Sequence, residues 1–366
     1  MSHVPNARRW VPVTVVVAAL LAGCEMPLAL APRGPAAAEI ASIWWILFWI
    51  AVPVSVIVFS LLGIAIVRAR AIAREQDEHD EHDVRVAERL RETGADVGLP
   101  EASRPARVSW LEGRTTGFVI IGGGVIPTLI LIFTTVMTLQ GLAVFDTAPE
   151  DVAYSVTARG HMFWWQFEYP DHGVVTANEM HVPVGRSVRV ELESADVIHS
   201  FWVPQLHGKI EMIPGKTNVI HIQADEAGTY FGKCAEFCGQ QHANMEFLVI
   251  AQEEAEFESW LEAQAADAPE PTDELAQRGR DVFVDSQCAL CHTIRGVNQA
   301  APGVAPDLTH LATRRTLAAR TLPNVRGNLG GWILDPQGIK PGSRMPAVNL
   351  SSDEFLALLE YLDGLR

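Results

Sequence analysis

The segment Cys234-Ala-Glu-Phe-Cys238-Gly-Gln-Gln-His242-Ala-Asn-Met245, with His199 upstream, gathers two thiols, two imidazoles and a thioether. The two cysteines flank a three-residue turn, so both sulfurs can face one centre. Soft sulfur ligands combined with imidazoles select copper or zinc over hard ions. A structural zinc site would use four Cys/His ligands and no Met. Two bridging thiolates, two imidazoles and a thioether instead describe a binuclear copper centre. A Cys234–Cys238 disulfide is the alternative outside the cytoplasm, and it leaves His199, His242 and Met245 without a role.

A second constellation, Cys288-Ala-Leu-Cys291-His292, has the C-x-x-C-H form that attaches c-type haem. Two thiols form thioethers and the adjoining His ligates iron. The sixth ligand should be a thioether or an imidazole. Met345, in the loop Gly342-Ser-Arg-Met-Pro346, is the first candidate and His310 the competitor. A thioredoxin-type dithiol would leave His292 unused and would need a βαβ pattern absent around it. Two one-electron centres in one chain make electron transfer the leading function.

The elements that must hold these residues differ along the chain. From residue 146 to 264 the pattern is β. Ser187-Val-Arg-Val-Glu-Leu-Glu193 alternates strictly, and residues 217–223 and 247–250 read as further strands. Gly and Pro punctuate them, which indicates a small sandwich or barrel with ligands on its loops. Residues 265–272 read as a Pro/acid linker. Residues 273–366 read as helical at both ends. Ser351-Ser-Asp-Glu354 opens the last helix, and Phe355, Leu358, Leu359 and Leu362 form its apolar stripe.

The N-terminal third belongs to a membrane. Arg8-Arg9, an apolar run and Leu21-Ala-Gly-Cys24 describe a signal peptide over residues 1–23. A Cys directly after the small pair resembles a bacterial lipobox, which makes Cys24 the expected lipidated terminus. Two charge-free stretches, with helices expected at about 40–67 and 117–142, are each long enough to span a bilayer. Trp44, Trp45 and Trp49 cluster near one end of the first, as in an interfacial belt. Residues 68–116 carry nine Arg among many acids. By the positive-inside rule this stretch is a cytoplasmic loop, expected to be solvated and partly disordered, and the domains beyond it face outward. Net charge is −16 and becomes −18 once Arg8 and Arg9 leave with the signal. That excludes nucleic acid as a natural partner.

Asp196-Val-Ile-His-Ser-Phe-Trp-Val-Pro204, Met212-Ile-Pro-Gly-Lys216 and Cys234-Ala-Glu-Phe-Cys-Gly239 closely resemble subunit II of haem–copper cytochrome c oxidases, and the C-terminal haem motif resembles the caa-type branch. The resemblance implies a multidomain membrane protein. Its parts are a two-helix transmembrane hairpin over 24–145, an all-β cupredoxin sandwich over 146–264 and an all-α cytochrome c domain over 273–366. It implies binuclear copper on His199, Cys234, the Glu236 carbonyl, Cys238, His242 and Met245, and covalent haem c on Cys288, Cys291, His292 and Met345. It also implies magnesium at the Glu236 carboxylate beside subunit I. Phe163 and Trp164, in the aromatic run Gly160-His-Met-Phe-Trp-Trp-Gln-Phe-Glu-Tyr169, fall where the resemblance implies electron entry to the copper.

The partners implied are subunits I and III, with a cytochrome c or a membrane quinol-oxidising complex as donor. Two positions depart from the pattern: Ile120 stands where many relatives carry a Glu for proton uptake, and Phe163 stands where they carry Trp. The rival functions are the small subunit of a copper-containing nitric oxide reductase and a self-standing membrane-tethered electron carrier.

Overall fold

The computed structural model describes residues 29–92, 116–146 and 151–366. Cys24 and the signal segment lie outside the described residues. The chain divides into two compact units, residues 42–144 and the remainder.

The first unit contains most of the apolar helices. Helix α1 (Pro35–Glu92) runs for 58 residues without a break, about 87 Å at 1.5 Å per residue. The helix runs past the expected end near residue 67, so residues 68–92 of the charged stretch are helical where a loop was expected. Ala, Arg and Glu are strong helix formers, and Glu81 and Arg85 pair one turn apart at 3.4 Å. Polarity there reflects a solvated helix, and His79 and His82 lie exposed along it. The second apolar helix carries a π turn over Ile121–Val125, at Gly122-Gly-Gly124, and continues as α2 (Ile126–Asp146). It extends past the expected residue 142.

The second unit begins with a ten-stranded sandwich. One sheet has the order β3 (Val174–Ala177), β2 (Trp164–Tyr169), β1 (Val152–His161), β5 (Ser187–Ser194), β8 (Asn218–Ile222). The other has the order β4 (Glu179–Pro183), β10 (Glu246–Gln252), β9 (Gly228–Cys234), β6 (His199–Trp202), β7 (Ile210–Met212). Pairs β1–β5 and β4–β10 are parallel and the rest antiparallel. On β5 the alternation seen in sequence is realised: Val188, Val190 and Leu192 are buried, while Arg189, Glu191 and Glu193 are only half-buried. Trp165, Phe167, Phe201 and Phe247 fill the space between the sheets, each fully buried. These rings pack edge to face and tilted, with centroids 4.8–5.8 Å apart.

Helix α3 (Glu254–Ala265) closes the sandwich through Phe257 and Leu261. The C-terminal region packs α4 (Glu274–Asp285) against the last helix, α8 (Ser352–Asp363), with α5 (Cys288–Cys291), α6 (Arg326–Leu334) and α7 (Pro336–Ile339) between them. Ser351 and Glu354 form a full capping box at the start of α8. Leu358, Leu359 and Leu362 enter the core with Phe283, and Phe355 packs against it. The crossing requires Gly279, where an added Cβ would lie 2.0 Å from the Ala357 carbonyl oxygen. The region is not purely helical, because β11 (Thr316–Leu317) and β12 (Leu322–Pro323) form a short hairpin.

The Pro/acid linker expected at residues 265–272 is clamped at its start. The Arg295 guanidinium donates to the carbonyls of Gln264, Ala265 (3.2 Å), Ala266 (2.8 Å) and Gly173 (3.3 Å), and Ala268 N–H donates back to the Arg295 carbonyl. Proline content alone indicated an extended spacer. One arginine from the next domain collects its free carbonyls.

Candidate metal centre and haem cavity

The metal-site residues sit at one end of the sandwich. His199 opens β6 and Cys234 ends β9, adjacent strands in register. Cys238, His242 and Met245 follow on the loop back to β10. Cys234 N–H donates to the Met245 carbonyl (2.9 Å), which closes that loop, and Ala235 N–H donates to the Ser200 carbonyl (3.0 Å). The sulfurs of Cys234 and Cys238 are 3.8 Å apart, far beyond a disulfide's S–S bond of about 2.05 Å. His199 Nδ1 is 3.8 Å from Cys234 Sγ, His242 Nδ1 3.8 Å from Cys238 Sγ, and Met245 Sδ 3.7 Å from Cys238 Sγ. The Glu236 carbonyl oxygen is 3.1 Å from Cys234 Sγ.

Ligand atoms sharing one tetrahedral ion at bonds of about 2.0–2.3 Å sit about 3.3–3.8 Å apart. The side chains therefore already have the spacing of a loaded soft-metal site. Among the described residues, His199, Cys234 and Cys238 are the buried group whose ligand atoms converge within 4.8 Å.

Electrostatics prepare the pair for a cation. The Cys238 thiol, directed at Cys234, and the His199 imidazole hold the Cys234 thiol far below its ordinary range, despite burial. The Cys234 thiolate and burial then push Cys238 up, so ionising one sulfur disfavours ionising the other. Burial opposes ionisation of Asp196, yet hydrogen bonds from His199, Met162 N–H and Val197 N–H outweigh it and hold the carboxyl down to about 2. Its Oδ1 lies 2.8 Å from His199 Nε2. A carboxylate there fixes Nε2 as the donor and turns Nδ1 toward the sulfurs. Sequence reasoning missed Asp196 in this role, although its position three residues before a candidate His ligand was a usable signal.

Cys288, Cys291, His292 and Met345 line one apolar cavity of 360 Å³. His292 Nδ1 is 2.7 Å from the Pro306 carbonyl, which makes Nδ1 the donor and leaves Nε2 for iron. Burial lowers the pKa of His292, favouring the neutral imidazole a metal needs. His310 does not line the cavity; its Nε2 faces the Ala266 carbonyl at 3.1 Å. Two wall atoms are buried without a partner, Arg314 Nε and Thr316 Oγ1. The Arg314 guanidinium also donates through Nη2 to the Asp307 carbonyl; its open Nε and the Thr316 hydroxyl over an apolar cavity fit a flat apolar group bearing carboxylates, as haem is. Nothing in the sequence singled out Arg314.

The far wall of the cavity comes from the sandwich: Met162, Phe163 and Trp164. The Phe163 ring also touches the metal loop, since a Cβ on Gly239, beside Cys238, would meet its Cζ at 3.1 Å. One aromatic side chain thus contacts both candidate sites. Trp164 stacks on His161 with centroids 4.2 Å apart. Lys340, 2 % exposed, lies on the same wall. Burial pulls its pKa down to about 7.

Residues 173–252 match the family described as cytochrome c oxidase subunit II, periplasmic domain, and residues 276–366 match cytochrome c. Cytochrome c oxidase subunit 2 of Alkalihalophilus pseudofirmus is 42% identical over 66% of this chain and 71% of its own length. The Bacillus subtilis protein of that name is 35% identical over 68% and 75%. The chain belongs to the cytochrome c oxidase subunit II family. Within the family, the C-terminal cytochrome c domain makes it a caa-type subunit II, part of a haem–copper oxidase. Quinol oxidase subunit 2 of Bacillus spizizenii is also similar, at 30% identity over 71% of this chain and 73% of its own. Among solved structures, the periplasmic domain of cytochrome oxidase subunit II from Bradyrhizobium japonicum is 33% identical. It covers 32% of this chain and 96% of its own, with a TM-score of 0.31.

Proposed function

We propose that this subunit II holds a binuclear copper centre on His199, Cys234, the Glu236 carbonyl, Cys238, His242 and Met245. In the same reading, Cys288 and Cys291 would attach haem c covalently, and His292 and Met345 would ligate its iron. One-electron transfer is the chemistry these groups supply when bound. The residues around them do the rest: Asp196 orients His199, the Pro306 carbonyl orients His292, and Phe163 bridges the haem wall and the copper loop. Electrons pass from an outer donor, a cytochrome c or a quinol-oxidising complex, through the haem region and across Phe163 and Trp164. The copper loop hands them to subunit I, where oxygen is reduced and protons are pumped.

The two apolar helices anchor the chain with both redox domains on the outer face. Subunit III completes the assembly, Cys24 carries lipid, and the half-buried Glu236 carboxylate takes a magnesium ion, since hard oxygen ligation suits that ion. The single observation that carries this reading is the sulfur and nitrogen spacing of 3.7–3.8 Å around Cys234 and Cys238.

Electron paramagnetic resonance of the purified oxidase tests it. One unpaired electron shared by two copper nuclei is expected, and a four-line signal from a single copper would overturn the binuclear reading. Co-purification with a polytopic partner that consumes oxygen separates the oxidase from a nitric oxide reductase and from a free carrier.

A further inference from the structure

We infer that Lys340 is the positioning residue that locks the haem-ligand loop onto the copper loop and so sets the distance electrons cross. This rests on the proposed function above. Lys340 follows α7 and precedes Met345 by five residues. Its ammonium donates to three carbonyls: Phe163 (3.0 Å), Asn244 (2.8 Å) and Ala318 (2.8 Å). An ammonium has three donors, and all three are used. Ala318 belongs to the cytochrome domain, while the other two acceptors belong to the sandwich.

The two sandwich acceptors are placed where they matter. Asn244 immediately precedes the candidate ligand Met245. Phe163 lines the haem cavity and touches Gly239 beside Cys238. Lysine is seldom buried without a paired charge. Among the described residues Lys340 has no carboxylate within 4.0 Å, so carbonyl oxygens are its direct partners.

Two further contacts run in the same register. Gln241 Nε2 donates to the Pro341 carbonyl at 2.8 Å. Arg344 lies 3.6 Å from Asp196, the carboxylate that orients His199. Residues 340–345 therefore grip the copper side from Asp196 to Asn244. Interfaces between domains of one chain usually permit relative motion, and tunnelling falls steeply with separation. A satisfied buried cation at the centre of the contact removes that freedom.

The test uses the intact oxidase complex with Lys340→Met and Lys340→Gln. Pulsed dipolar resonance reads the haem–copper separation, and flash-injected electrons read the transfer rate. Both midpoint potentials are measured so that rates are compared at known driving force. In Lys340→Met the separation should broaden and lengthen, and transfer should slow about tenfold or more, with both metal spectra intact. Lys340→Gln keeps two donors and should fall between it and the parent. A merely structural lysine would lower the unfolding temperature and leave separation and rate unchanged, and that result overturns the inference. Should Lys340→Met fail to load its metals, Lys340→Gln with parental separation and rate overturns it equally. Absence of haem-to-copper transfer in the parent would defeat the proposed function itself, a result distinct from either.

Discussion

The copper site and the haem cavity hold their groups in opposite ways. The copper ligands are nearly in place on the protein alone: two register-paired strands and one hydrogen-bonded loop set their spacing. The haem region instead lines an apolar cavity. Its core residues, Phe283, Leu329, Ile333, Leu358 and Leu362, are also cavity walls. A sandwich of ten strands with its own aromatic core can afford a metal on its rim. A domain of about ninety residues built around the cofactor uses that cofactor as its core.

The largest expected effect follows from that contrast. Core side chains of the domain face this cavity, so a bound apolar group supplies packing contacts that these residues otherwise lack. The double variant Cys288→Ala, Cys291→Ala, produced without haem, should lose helical signal from residues 273–366 and expose them to protease. The sandwich should persist. An intact, protease-resistant cytochrome region would break the comparison.

The converse variant is Cys234→Ser. Copper should be lost, as read by metal analysis, while the near-ultraviolet signal of the buried tryptophan and tyrosine rings survives. The sandwich should lose only the stabilisation that bound metal adds by mass action. Collapse of that signal would mean that the metal, and not the strand frame, holds the site.

Asp196→Asn probes how much of the copper geometry depends on the supporting carboxylate. Copper affinity should fall about 10–100-fold, measured by competition with a chelator, with a changed resonance spectrum. Unchanged affinity would assign the orientation of His199 to strand β6 alone.

The smallest effect lies at the seam between the two regions. Glu179 on β4 accepts from Arg315 N–H (2.6 Å) and Thr316 N–H (3.2 Å) across the boundary. Burial raises its pKa to about 6, against an ordinary value of 4.5. The native state therefore binds the extra proton first, and stability rises as pH falls through 6 toward 4.5. The gain is about 2 kcal/mol at most. Urea unfolding at pH 7.5 and pH 5 should show this gain in the parent and not in Glu179→Gln. Parallel pH slopes in the two proteins would remove Glu179 from the account.

Much of this was legible in sequence because the chemistry is local. Cys234, Cys238, His242 and Met245 lie within one loop, and Cys288, Cys291 and His292 within one turn. Strand β5 showed itself by alternation, and α8 by its cap. The supporting residues were not legible in the same way. Arg314, Lys340 and Arg295 are ordinary basic residues until the fold brings them to a cavity or to carbonyls as many as 177 positions away. The length of α1 was hidden for a different reason: dense charge suggests disorder, whereas helix propensity and i,i+4 pairing govern residues 68–92.

The Arg295 clamp on residues 264–266 has a kinetic consequence. Under the proposed function, a haem and a copper centre held on this pinned connection exchange electrons in a unimolecular step, whose rate should be indifferent to ionic strength and to protein concentration. Delivery from a separate donor is then an encounter between molecules, and any charge attraction in it is screened by salt. On that reading salt acts on the first step alone, and current through the subunit is governed at its outer door.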